Sequence, residues 1–206
     1  MHGLDKSTIK VADKKMTKDP ISDEVVERLR QFKGVSTFKK AAMNLLVKTA
    51  TEEEVADLRA QFEAIDEDGT GMIKASELTA LMKQKQLKMS DTEIKGLIDE
   101  MDYHNNGKIN YSEFLSATIN VQKFITDQRL LAIFNQFDTD GSNKITEDNI
   151  YYAMQKLGHE VPRAEIKQMI KTHDLKNDGV LSFEEFRSIF IDKDAVEKMV
   201  DAPPGF

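Results

Sequence analysis

Asp66, Asp102, Asp138 and Asp174 each open a twelve-residue segment dense in oxygen donors, and they follow one another at intervals of 36 residues. The segments are Asp66–Glu77 (DEDGTGMIKASE), Asp102–Glu113 (DYHNNGKINYSE), Asp138–Asn149 (DTDGSNKITEDN) and Asp174–Glu185 (DLKNDGVLSFEE). A fixed period of this length marks a structural repeat. The donors recur at positions 1, 3, 5, 7, 9 and 12. In a tight loop, alternate side chains converge on one point, a backbone carbonyl adds an oxygen, and a terminal Glu supplies two more. Such a cage suits a hard cation, and calcium takes about six to eight oxygens.

This is the pattern of an EF-hand loop. Loop 1 offers Asp66, Asp68, Thr70, the Met72 carbonyl and Glu77, with Lys74 at position 9, where a water commonly bridges. Loop 2 offers Asp102, Asn106, the Lys108 carbonyl, Asn110 and Glu113, but sets His104 at position 3, and a hard cation prefers oxygen to imidazole nitrogen. Loop 3 has Asp138, Asp140, Ser142, the Lys144 carbonyl and Thr146. It ends in Asn149, which gives one oxygen and no bidentate carboxylate. Loop 4 has Asp174, Asp178, the Val180 carbonyl, Ser182 and Glu185, with the cation Lys176 at position 3. The loops therefore rank 1 first, 2 and 4 next, 3 last. Calcium is the expected ion, because magnesium's octahedral demand fits a seven-oxygen cage poorly.

Gly71, Gly107 and Gly179 fall at position 6, where the chain turns sharply, and Asn143 stands there in loop 3. Position 8 is Ile73, Ile109, Ile145 or Leu181, expected to point inward while loops 1 and 2, and loops 3 and 4, pair.

The flanking elements read as helices. Val55, Leu58, Phe62 and Ile65 precede loop 1 behind the capping box Thr51-x-x-Glu54; Ile94, Leu97, Ile98 and Met101 precede loop 2 behind Ser90-x-x-Glu93. Thr126 is set to cap the helix before loop 3, and Pro162 suits the first turn before loop 4. The fold class is all-α: two EF-hand lobes preceded by a long amphipathic helix. Met82, Met101, Met154 and Met169 are candidates to line an apolar groove.

In front of the loops lies an arm of opposite charge. Residues 1–50 hold 11 Lys+Arg and 6 Asp+Glu, a net of +5; residues 51–206 hold 18 and 30, a net of −12. From Ser22, apolar residues Val25, Leu29, Phe32, Phe38 and Leu45 interleave with Arg28, Arg30, Lys33, Lys39 and Lys40, and Gly34 is placed to bend the helix. An EF-hand lobe clasps a helix of this kind. Packing as ordinary core and lying on a membrane surface are the competing readings.

Other functions are excluded or disfavoured. The formal net charge of −7 argues against nucleic-acid binding, the absence of Cys excludes thiolate sites, and no run of about 18 apolar residues spans a membrane. No signal-peptide pattern opens the chain, so a cytoplasmic location is expected. His173-Asp174-Leu175-Lys176-Asn177 mimics a kinase catalytic loop, but its spacing is wrong and no nucleotide-binding motif accompanies it. No catalytic or organic-cofactor site is expected.

The order SDEVVERLRQFKGVSTFKKAAMNLLVKTATEEEV, then FEAIDEDGTGMIKASEL and three further loops, resembles the C-terminal regulatory region of plant and protist calcium-dependent protein kinases. The resemblance covers about residues 20–192 and departs at His104, Asn149 and Lys176. It implies a linker at 1–21, an autoinhibitory junction helix at 22–50, lobes at 51–120 and 126–192 joined around Asn120–Ile125, and a tail at 193–206. It further implies two partners, the chain's own junction helix and a preceding Ser/Thr kinase domain. That domain would be inhibited at low calcium and released when the lobes capture the junction. A free-standing calmodulin-like sensor or buffer acting on a separate helix is the alternative.

Overall fold

A computed structural model describes residues 20–158 and 160–191. Most of the expected linker, the tail at 193–206 and His159 lie outside the described residues.

The arm forms α1 (Asp23–Gln31) and α2 (Thr37–Val47). The first lobe follows with α3 (Glu52–Ile65), β1 (Met72–Ile73), α4 (Ala75–Gln84), α5 (Asp91–Met101), β2 (Ile109–Asn110) and α6 (Tyr111–Thr118). After the single turn α7 (Val121–Phe124), the second lobe has α8 (Asp127–Phe137), α9 (Glu147–Lys156), α10 (Arg163–His173) and α11 (Phe183–Ser188). The connector expected around Asn120–Ile125 thus holds a short helix, started by Asn120, whose side chain accepts from the Lys123 amide.

Caps set the boundaries. Thr51–Glu54 and Ser90–Glu93 form reciprocal capping boxes, and Thr126 accepts from the Arg129 amide. Caps of this type each contribute on the order of 1 kcal/mol. Pro162 is the residue just before α10 rather than inside its first turn.

The arm is two helices, not one long one. Phe32 closes α1, Gly34 takes φ +81°, and Ser36 starts α2 by accepting from the Lys39 amide. A glycine in the left-handed region followed by a fresh N-cap ends a helix and begins another.

Two apolar clusters make the core, and the break divides the arm between them. Val25, Val26, Leu29 and Phe32 pack with Phe62, Ile65, Leu78, Ile94, Met101 and Phe114. Phe38, Met43, Leu45 and Leu46 pack with Phe124, Phe134, Phe137, Met154, Phe186 and Phe190. Phe38 is 1% exposed, with its ring centroid 4.9 Å from that of Phe137 and 6.0 Å from that of Phe186. Phe32 and Leu45, thirteen residues apart, therefore enter different clusters, the second of which also takes in Val55 and Leu115 of the first lobe.

Candidate metal centre

The four loops lie between the helices as two pairs. Met72 faces Asn110 and Ile73 faces Ile109 in an antiparallel ribbon, while Ile145 and Leu181 exchange both amide–carbonyl bonds at 2.8 and 2.9 Å. All four position 8 side chains are buried. Gly71, Gly107, Gly179 and Asn143 take positive φ of 76°, 75°, 82° and 59°. Asn tolerates that region, so loop 3 turns like the others.

Each position 1 carboxylate organises its own loop. One Asp oxygen accepts from the position 6 amide: Gly71 at 2.6 Å, Gly107 at 2.6 Å, Asn143 at 2.8 Å and Gly179 at 2.7 Å. This curls the loop around the point where an ion would sit. Position 12 then ties the loop to its exiting helix. Glu77, Glu113, Asn149 and Glu185 accept from the position 9 amides of Lys74, Asn110, Thr146 and Ser182 at 2.7–2.9 Å.

In loop 1 the carboxylates converge: Asp66, Asp68 and Glu77 each offer an oxygen within 4.8 Å of the others. The Thr70 hydroxyl bonds to the Asp66 carboxylate and to the Met72 carbonyl, so the position 1, 5 and 7 donors share one network. The Lys74 ammonium binds Asp68 and holds its carboxyl below the ordinary range. Among the described residues this is the group of three acidic or imidazole side chains drawn together tightly enough for an ion.

Loop 2 is closed on itself. The second oxygen of Glu113, a fully buried residue, accepts from the Tyr103 amide at 2.8 Å and lies 2.8 Å from His104 Nδ1. Asn110 Nδ2 meets the same imidazole nitrogen at 3.0 Å. Asn106 Oδ1 is bonded to the Lys108 amide. Asp102 Oδ1 is buried with no hydrogen-bond partner, on a residue 8% exposed. A desolvated carboxylate oxygen without a donor is costly unless a cation meets it.

Loop 3 presents the wrong polarity at position 12. Asn149 Oδ1 is spent on the Thr146 amide and hydroxyl, and Nδ2 donates to Thr139 Oγ1 at 3.1 Å. Asp138, Asp140 and Ser142 remain gathered: the Ser142 amide bonds to both carboxylates, and its hydroxyl bonds to Asp138 and to the Lys144 carbonyl.

In loop 4, Glu185 Oε1 accepts from the Leu175 and Lys176 amides, each at 3.0 Å. Burial pushes the Glu185 carboxyl up, but the hydrogen bonds from Ser182, Lys176 and Leu175 outweigh it and leave it below the ordinary value. Lys176 is exposed. Val180 donates its amide to Asp178.

The donor sets fit a hard divalent cation in loop 1, through three converged carboxylates, and at Asp102, through its unmet buried oxygen.

The basic residues of the arm are partly engaged. Arg28 pairs with Glu24 and donates to the Thr118 carbonyl at 2.6 Å. Arg30 pairs with Glu27 on its own helix. Lys33 is exposed and Lys39 half-buried, while Lys40 binds Glu100 and lies 5.5 Å from the Phe32 ring centroid. Leu29 is buried at 1% exposure.

Several contacts had no counterpart in the sequence reading: Ser22 on Gln61, Lys40 on Glu100, Arg129 on Glu54 and Lys144 on Asp178. These join residues 34 to 75 apart. Lys74 on Asp68, six residues apart within one loop, was likewise not read from the sequence, which placed Lys74 only at position 9.

Paired helix–loop–helix units with four such loops define an EF-hand protein. The family described as an EF-hand domain pair matches residues 55–119 and again residues 127–191, and the chain belongs to that family. More particularly, 81% of it is similar to calcium-dependent protein kinases. It is 36% identical over 167 residues to calcium-dependent protein kinase 21 of Arabidopsis thaliana and 34% identical over 167 residues to calcium-dependent protein kinase 11 of Oryza sativa subsp. japonica. It is also 34% identical over 168 residues to calcium-dependent protein kinase 2 of Zea mays. The chain spans 31%, 29% and 32% of these relatives, about a third of their length. No helix among the described residues is long and apolar enough to cross a membrane.

Proposed function

We propose that this chain is the calcium-sensing regulatory part of a Ser/Thr protein kinase, with residues 22–50 as an autoinhibitory junction and the two lobes as its calcium-controlled clasp. The observation that carries the reading is the division of the arm. Leu29 and Phe32 are buried in the core of the first lobe, and Phe38 and Leu45 in a second cluster where Phe134, Phe137 and Phe186 of the second lobe meet Val55 and Leu115 of the first. The similarity to calcium-dependent protein kinases, the calcium-type loops and the basic arm agree with it.

Calcium, when bound, supplies the divalent charge that holds the loop carboxylates together. Position 12 residues couple that charge to the exiting helices α4, α6 and α11, through the Glu77, Glu113 and Glu185 side chains. Helix reorientation in sensor EF-hands opens an apolar groove. Met82, Met101, Met154 and Met169, all buried in the two clusters that also take in the arm, are the adaptable part of that surface. At low calcium the released arm presents Arg28, Arg30, Lys33, Lys39 and Lys40 to an acidic cleft of the kinase domain. Loop 1 is the strongest site, loops 2 and 4 follow, and loop 3 is weakest.

Hydrogen exchange on the full chain tests the clasp. Amides of residues 23–47 should be protected in calcium and exchange much faster in chelator. Equal protection in both conditions would favour a free-standing sensor whose arm is permanent core.

A further inference from the structure

The pairing of Ile145 with Leu181 sets loops 3 and 4 side by side and brings one basic side chain across the boundary. Lys144 belongs to loop 3, where its carbonyl is the position 7 oxygen, yet its Nζ lies 3.2 Å from Oδ2 of Asp178 in loop 4. Asp178 is the position 5 donor of that loop, and its other oxygen accepts the Val180 amide at 3.4 Å. Both oxygens of that donor are therefore engaged.

We infer that Lys144 is a tethered counter-ion of loop 4 and sets its calcium affinity from the neighbouring loop. The ammonium competes with a bound cation for the charge of the Asp178 carboxylate. Lys74 on Asp68 is the same device inside loop 1, from position 9 to position 3. The Lys144–Asp178 pair is half-exposed, so its displacement costs little, and the effect on affinity is about two- to fivefold. This inference rests on the calcium-sensor reading and adds to it the residue that tunes one site.

The test is a calcium titration of the full chain followed by the backbone amide resonances of Gly71 for loop 1 and Gly179 for loop 4. Lys144→Met should tighten the Gly179 response about two- to fivefold and leave Gly71 unchanged. Lys156→Met removes the same charge from the far end of α9, about 15 Å along the helix and beyond the screening length, and should shift nothing. In an Asp178→Asn background the gain from Lys144→Met should vanish. A Lys144→Met response equal to that of Lys156→Met, or a gain that persists with Asn at 178, overturns the role of Lys144. A Gly71 response with no Gly179 response in any variant overturns it as well, and leaves the sensor reading intact. Silence at both glycines overturns the sensor reading and this inference together.

Discussion

Glu77 and Asn149 occupy the same position in two loops and end up doing different chemistry. Both cap the exiting helix by accepting the position 9 amide. Glu77 still offers an oxygen beside Asp66 and Asp68, whereas Asn149 has one oxygen, already committed, and turns its NH2 toward Thr139. Glu77→Gln should therefore weaken calcium binding to loop 1 by no less than the roughly 10- to 100-fold that even outer partners of a metal cost. Asn149→Ala should remove much less. Calorimetry on the two variants decides it, and a larger loss of binding heat from Asn149→Ala would invert the ranking of the loops. Donor identity was open to reading from sequence because each loop's ligands lie within twelve residues of one another. Donor availability was not. His104 on Glu113, Lys144 on Asp178 and the unmet oxygen of Asp102 depend on side-chain directions that spacing does not encode.

The helices show the same division between local and non-local information. Capping residues act over three positions, so Thr51, Ser90 and Thr126 marked helix starts that the structure keeps. The break in the arm is local too, since Gly34 and Ser36 carry it, but a lone Gly inside a helical pattern is compatible with a bend or a stop. The two cores decide between them by pulling Phe32 one way and Phe38 the other. Phe38→Ala should destabilise the calcium-loaded protein by about 3–5 kcal/mol, because it removes a ring packed against two others. Leu131→Ala, at a side chain 46% exposed, should stay within about 0.5 kcal/mol. Gly34→Ala meets no atom within 4 Å, so its cost is backbone strain alone, about 1–2 kcal/mol. Urea unfolding of the three variants gives all the values, and a silent Phe38→Ala would mean that α2 contributes no core.

At the scale of the whole molecule, the lobes are joined by more than the arm. Arg129, in the first turn of α8, donates to both carboxylate oxygens of Glu54 at 2.8 and 2.7 Å, and Glu54 belongs to the capping box of α3 in the other lobe. The same guanidinium donates to the Phe124 carbonyl and lies 3.9 Å from the Phe124 ring centroid, so it is held in place by the connector it spans. The Thr51 amide and then Arg129 hold the Glu54 carboxyl below its ordinary value of 4.5. A carboxyl whose folded value is depressed contributes stability above its unfolded value, and that contribution disappears as pH falls through the lower folded one. Glu54→Gln should therefore be less stable than the parent at neutral pH, and the gap should close on acidification well below 4.5. Acid also protonates the loop carboxylates, but that loss is common to both proteins and cancels in the difference. The share owed to Arg129, as opposed to the cap, follows from a cycle with Arg129→Met. Coupling between the two substitutions should be present at neutral pH and absent in acid. A gap between parent and Glu54→Gln that is the same at both pH values would show that the carboxylate's charge does not join the lobes, leaving that task to the arm and α7.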